Sequence, residues 1–297
     1  MKIFRLYLFF FIALVLLSQS CVAPSLSKAQ SLFSATVVTD NLSQLGLEGV
    51  DFEQLYPIDK EVQLADRPDV NYNRVLELLN KALEKEDRLR KDKLLGTAVV
   101  LRSLTHFQLD NYEAASIDAE RAQQLFEQSP ELITEGGRDL ALAYAIGPII
   151  GNAQLFDSLE DWQLDEDEEL PEALEASNIY SSIDLLIGTE SSEAMMPIRI
   201  VDQLKLARSK VIDSKDTEIY LQNQILASLM NWKRILDVQN TMARVANIFQ
   251  DQPSTFERWQ ERKNDVVDNL GLELVRLLDL AGEDDPSYLQ WADIITP

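Results

Sequence analysis

A single cysteine and a single histidine occur in 297 residues. One cysteine cannot close a disulfide within the chain, and zinc sites recruit several Cys or His ligands, so neither device stabilises this protein. Glycine and proline are scarce, ten of each, which argues against the many short, turn-punctuated strands of an all-β fold. Basic residues are few, 27 Lys and Arg against 50 Asp and Glu. A surface this negative repels phosphate backbones and anionic headgroups, so nucleic acid and polybasic membrane docking are set aside. Partners with basic patches stay open, and acidity also serves plain solubility. No nucleophile elbow, phosphate-binding glycine loop, zinc motif or dinucleotide fingerprint is found. No enzyme, catalytic residue, cofactor or metal site is therefore expected.

What is present favours helices. Hydrophobic residues make up 46% of the chain and charged residues 26%, enough to bury one large core or two smaller ones. Long stretches rich in Leu, Ala, Glu, Gln and Arg predict an all-α fold.

Lys2 and Arg5 precede an apolar run from Leu6 to Leu17, twelve residues. That is the length of a signal-peptide core and too short to span a bilayer comfortably, so residues 1–20 read as an export signal. Directly behind it, Leu17-Ser18-Gln19-Ser20-Cys21 resembles a bacterial lipobox: a Leu near the end of the core, a small residue before the cut, then the cysteine. The family pattern prefers Leu three residues before the cysteine, where Ser18 stands here. Ordinary cleavage after Ala23 would leave Pro24 just past the cut, and the next candidate, Ala29, lies twelve residues beyond the core. The lipoprotein resemblance implies a diacylglycerol on Cys21 and a membrane anchor made of lipid alone, each buried methylene contributing about 0.8 kcal/mol. Asp after the cysteine retains Gram-negative lipoproteins at the inner membrane; Val22 stands there instead, which implies the periplasmic face of the outer membrane. Removing residues 1–20 takes away two basic groups and no acid, so 25 basic groups face 50 acidic ones and the charge moves from -23 to -25.

Residues 21–68 lack sustained periodicity and read as a tether. Asp69 is the expected N-cap of the first helix of a repeat region over 69–156. Tyr72, Val75, Leu79 and Ala82 fall at intervals of 3, 4 and 3, and Tyr112, Ala115, Ala119 and Ala122 repeat them, each tyrosine preceded by Asn. Such intervals put four residues on one helical face, and the small ones let a paired helix approach closely. Ser103 and His106 precede the second set, where a very small residue and an aromatic would suit a partner helix. These residues resemble the tetratricopeptide repeat (TPR), which implies stacked helical hairpins, an α-solenoid, and protein–protein binding. The two signatures are 40 residues apart (112 minus 72), against a family period of about 34, and Arg102 stands where a Leu is usual.

Beyond Pro130 a helix is expected, its start interrupted by Gly136 and Gly137. Ala143, Tyr144, Ile149 and Ile150 flank a Gly147-Pro148 break, which reads as a buried kink or as the wall of a pocket. Ten acids between Asp157 and Glu175 read as an exposed linker over 157–172. An EF-hand calcium loop there would need Gly where Leu170 stands.

The region 173–297 is predicted as a bundle of long helices. Ile200, Leu204, Ala207 and Val211 form one stripe, Ile225, Leu229, Trp232 and Leu236 another. Asp216 or Thr217 would cap the long segment, and a helix after Pro253 would carry Phe256, Trp259, Val267, Leu270, Leu274 and Leu277. Among the tryptophans, Trp291, near the end, is the better candidate for an exposed contact.

The leading functional expectation is a membrane-anchored periplasmic scaffold that binds other envelope proteins. The rival is a periplasmic small-molecule-binding component accessory to a transporter, with the Ala143 to Ile150 stretch lining the ligand site. A carboxylate-based hydrolase of envelope polymers stands third, and it would need two acids facing each other across a cleft.

Overall fold

The computed structural model describes residues 24–44, 63–133, 135–160, 196–245 and 253–295. The export signal, Cys21, Trp162 and the acidic segment beyond Glu160 lie outside the described residues. Among the described residues the fold is all-α, with ten α-helices and no strand. They are α1 Pro24–Gln44, α2 Pro68–Leu83, α3 Glu86–Lys91, α4 Leu95–Gln108, α5 Tyr112–Gln128, α6 Arg138–Glu160, α7 Met196–Ser209, α8 Lys215–Val245, α9 Pro253–Ala281 and α10 Pro286–Ile295. None of them is long and apolar enough to cross a membrane.

The chain divides into two compact units, Met1–Ile150 with Leu206–Leu221, and Gly151–Lys205 with Gln222–Pro297, so the boundaries fall inside α6, α7 and α8.

In the first unit, α1 packs against α2 and α4 against α5, while α2 also meets α4. α1 occupies much of what reads as a tether. Leu26, Phe33 and Val37 are buried on one of its faces and Ala35 on the other. With buried residues on both faces the helix shows no single apolar stripe, and the hydroxyls of Thr36 and Thr39 bond back to the carbonyls of Leu32 and Ala35 at 2.7 and 2.9 Å, so its small polar residues do not break it.

α2 begins two residues earlier than expected, with Pro68 in its first turn and Arg67 at the cap. Proline suits that position because its missing N–H would be unbonded anyway. Asp69 thus lies inside the first turn, paired with Arg67 at 2.6 Å; the guanidinium holds its carboxyl below the ordinary range.

α3 and α4 end alike. Lys93 and Asp110 take left-handed backbone angles (φ 59° and 58°), and the N–H groups of Leu94 and Asn111 reach back to the carbonyls of Leu89 and His106 at 2.7 and 2.9 Å. This closure satisfies carbonyls that a helix end leaves open. The short α3, six residues long, lies between the Tyr72 and Tyr112 segments.

Before α6 the backbone turns through Gly136 and Gly137 (φ 85° and 69°). A Cβ on Gly137 would lie 2.5 Å from the Lys210 carbonyl oxygen, so this crossing accepts only glycine. The Gly147-Pro148 pair lies inside α6, which is helical on both sides of it and is not split there. Pro148 deprives the Tyr144 carbonyl of its donor, and the adjacent Ala143 carbonyl accepts from Gln123 Nε2 at 2.7 Å.

In the second unit α8 is the hub, with every residue from Gln222 to Leu229 buried. Its polar side chains tie it to its neighbours. Gln222 Nε2 donates to the Glu273 backbone oxygen and carboxylate of α9 at 2.7 and 2.9 Å, and Lys205 of α7 pairs with the same carboxylate at 2.9 Å. Asn231 Nδ2 donates to Asn152 of α6 at 3.3 Å. Asp237 sits between Lys233 and Lys263, at 2.8 and 2.6 Å; burial works to raise its pKa, and the two ammonium groups outweigh it and hold the carboxyl low. Ser214 directly precedes α8, so Asp216 and Thr217 fall within its first turn.

Trp232 and Trp259 are buried, as their stripes predict. Trp291 is buried too, contrary to expectation: its Nε1 donates to Asn223 Oδ1 of α8 at 2.7 Å. On α9 the core residue is Val266, while Val267 is turned out to 45% exposure.

Candidate functional site

The residues of the repeat signature meet within the first unit. Tyr72, Val75, Leu79 and Ala82 of α2 are all buried, as are Ala115, Ala119 and Ala122 of α5. The Tyr72 ring meets Phe33 of α1, centroids 5.8 Å apart. The ring of half-buried Tyr112 lies 5.9 Å from Phe107. Both stripes therefore sit on the second helix of a pair and pack towards the first. Ser103 is fully buried and donates through Oγ to the Ala115 carbonyl at 2.6 Å. A side chain this small brings α4 against the backbone of α5.

Arg102, the departure from the repeat pattern, makes the strongest polar contact of the hairpin. Its Nε and Nη2 donate to the two carboxylate oxygens of buried Asp118 on α5 at 2.7 and 2.6 Å, and Nη1 donates to Asn80 of α2 at 3.1 Å. One guanidinium so joins three helices in bidentate geometry. A second buried acid, Asp139 of α6, accepts from Thr97 of α4 at 2.5 Å and from its neighbour Arg138 at 2.8 Å. Sequence reasoning missed both clusters. The signal for the first was available: a charge at a position that favours Leu demands a counter-charge, and Asp118 lies one residue before the Ala119 of the stripe.

His106 is half-buried beside this ion pair, and its Nδ1 has no hydrogen-bond partner among the described residues. Burial holds the imidazole below its ordinary pKa, the Asp118 carboxylate acting against that and the Arg102 guanidinium with it. The ring is thus a neutral packing group at pH 7.

Of the residues suggested as pocket lining, Ala143, Ile149 and Ile150 are buried. Tyr144 is half-buried, donating to Glu127 of α5 at 2.8 Å with Lys210 Nζ 5.0 Å from its ring centre. The bond to Glu127, aided by burial, raises its phenol pKa.

Because the stripes face inward, the outward faces of α2 and α5 are among the surfaces the first unit offers to solvent. On α5, Ile117 is 59% exposed, with exposed Glu113 and Glu120 four residues before it and three after. An apolar side chain flanked by two carboxylates suits a partner that presents an apolar residue beside Lys or Arg; Arg121, four residues on, is paired with Glu86 of α3. Among the described residues no group of three or more His, Cys, Asp or Glu is arranged to hold a metal. Compared with models of known protein families, with curated proteins and with solved structures, the chain matches none.

Proposed function

We propose that this protein is a lipid-anchored interaction scaffold of the bacterial envelope, held through Cys21 at the periplasmic face of the outer membrane. Its α1/α2 and α4/α5 pairs act as TPR-like hairpins of a short α-solenoid, followed by a bundle of long helices, and envelope proteins bind on the outward acidic face of α5. The observation that carries this reading is the equivalence of the Tyr72 and Tyr112 stripes. Both lie on second helices of successive pairs, and all of their small residues are consumed in packing. α4 is buried along its whole first half, Leu95 to Leu101, so recognition falls to the second helices. The anchor rests on the lipobox resemblance and the apolar run before it.

The test is a photoreactive amino acid at Ile117 in intact envelopes, with Asp202, also exposed, as control position. Adducts at 117 to a defined protein, absent at 202 and lost when Glu113 and Glu120 become Lys, are expected; Cys21→Ser should lower their yield. Equal labelling at both positions, or a purified protein carrying a small ligand by native mass spectrometry with no adduct at 117, would sink the scaffold in favour of the transporter-accessory reading.

A further inference from the structure

Almost no chain separates Cys21 from the fold. α1 starts at Pro24, so only Val22 and Ala23 stand between that helix and the residue that carries the lipid in the proposed anchor. Three steps from one Cα to the next, each at most about 3.6 Å, span about 11 Å whatever conformation they take. α1 is itself fastened to the first unit: Leu26, Ala29 and Phe33 are fully buried, the helix packs along α2, and the Phe33 ring meets that of Tyr72. Packed structure thus begins within three residues of Cys21, where residues 21–68 read as a tether.

The charge pattern fits a surface close by. All 50 acids of the chain fall after Thr39, and residues 21–39 hold a single charged side chain, Lys28. Ser27 and Lys28 are exposed at the start of α1, with Ser25 and Ser31 half-buried; hydroxyls and an ammonium are groups that donate to phosphate oxygens. Screening limits electrostatic reach to about 8 Å at physiological ionic strength. A bilayer at Cys21 therefore senses mainly the segment next to the anchor, and that segment offers anionic headgroups no carboxylate to repel although the chain as a whole carries -23.

We infer that the first unit rests directly on the phospholipid surface, with the start of α1 at the headgroups and no free tether between lipid and fold. This placement deepens the lipid-anchored reading and rests on it. So short an arm gives the scaffold no reach from the membrane beyond the extent of its own folded body.

The test uses the lipidated full chain in vesicles of phosphatidylethanolamine and phosphatidylglycerol, some of whose headgroups carry a nitroxide quencher. Cys21 is the only cysteine and its thiol is consumed by the lipid, so Ser27→Cys adds one free thiol for a fluorophore. Intact mass verifies the diacylglycerol, and circular dichroism the fold of each variant. The label at position 27 should lose most of its emission, and inserting about 20 Gly and Ser residues between Ala23 and Pro24, which adds about 25 Å of reach, should restore most of it. A lipidated chain unquenched at position 27, or quenched equally with and without the inserted linker, would overturn the inference. A mass lacking the diacylglycerol would overturn the anchor reading itself, and this placement with it.

Discussion

At the scale of single residues, conformation and burial decide more than residue type. Gly137 combines a positive φ of 69° with a carbonyl oxygen 2.5 Å from its missing Cβ. Gly137→Ala should therefore destabilise the protein by about 2 kcal/mol or more, seen as a lower urea midpoint, because backbone strain of about 1–3 kcal/mol adds to the clash. Gly147→Ala, where nothing approaches within 4 Å, is the matched control, and equal effects would refute the argument. His106 gives a pH dependence with a defined sign. Its folded-state pKa is depressed by burial, so the unfolded chain binds a proton that the folded chain resists. Stability is full above the unfolded value of about 6.5 and declines as pH falls below it. This is the only histidine, so His106→Gln should flatten unfolding free energy between about pH 7 and pH 5.5. A slope unchanged by the substitution would place its cause elsewhere. The position of His106 on an inner face is readable from the hairpin pattern, and Arg102 stands four residues before it on the same helix; that Asp118 comes beside the ring depends on how α5 packs against α4.

At the scale of elements, helices with one dry face were legible and a helix with buried residues on both faces was not. The stripes of α2 and α5 stand in the sequence as runs of 3 and 4, since one side of each meets a partner. α1 escapes that reading because both of its sides are buried and its hydroxyls bond internally. Trp291 was the better candidate for exposure because a tail after Gly282 and Pro286 looks peripheral, yet Asn223 on α8 supplies the acceptor that lets the indole be buried. Arg102 and Asp118 show how polar contacts replace the apolar residue a repeat would use. Asp118 keeps only 6% of its side chain exposed and Arg102 20%, so removing one partner leaves a charge with little water to receive it. Arg102→Leu alone should cost about 3 kcal/mol. Combining it with Asp118→Leu should recover much of that loss, because a buried pair exchanged for packed hydrophobes is often neutral. A double-mutant cycle in urea measures the coupling. Strictly additive losses would mean that the two groups do not depend on each other, against the bidentate geometry.

At the scale of the whole molecule, two features of the sequence act at different ranges. The expected boundary in the acidic segment 157–172 lies beyond or at the end of α6, whereas the compact units divide after Ile150 and again inside α7 and α8. Periodicity reveals a helix but not which helices share a core, so a 31-residue helix such as α8 shows its stripe without showing that it serves two units. Net charge, by contrast, is read from composition alone and acts over the entire surface. The buried pairs of Arg102, Arg138 and Lys205 with their acids are shielded from salt by their surroundings, while the excess of carboxylates repels itself through solvent. Raising monovalent salt from about 0.01 M to about 0.1 M shortens the screening length from about 30 Å to about 10 Å. That weakens the repulsion between distant surface acids far more than the attraction within the buried pairs. The thermal midpoint should therefore rise with NaCl over this range, and the rise should shrink in a variant with exposed Glu113, Glu120 and Asp268 converted to neutral amides. A midpoint that falls with salt would mean that exposed ion pairs such as Arg67–Asp69, not the surplus negative charge, dominate the electrostatics of the folded chain.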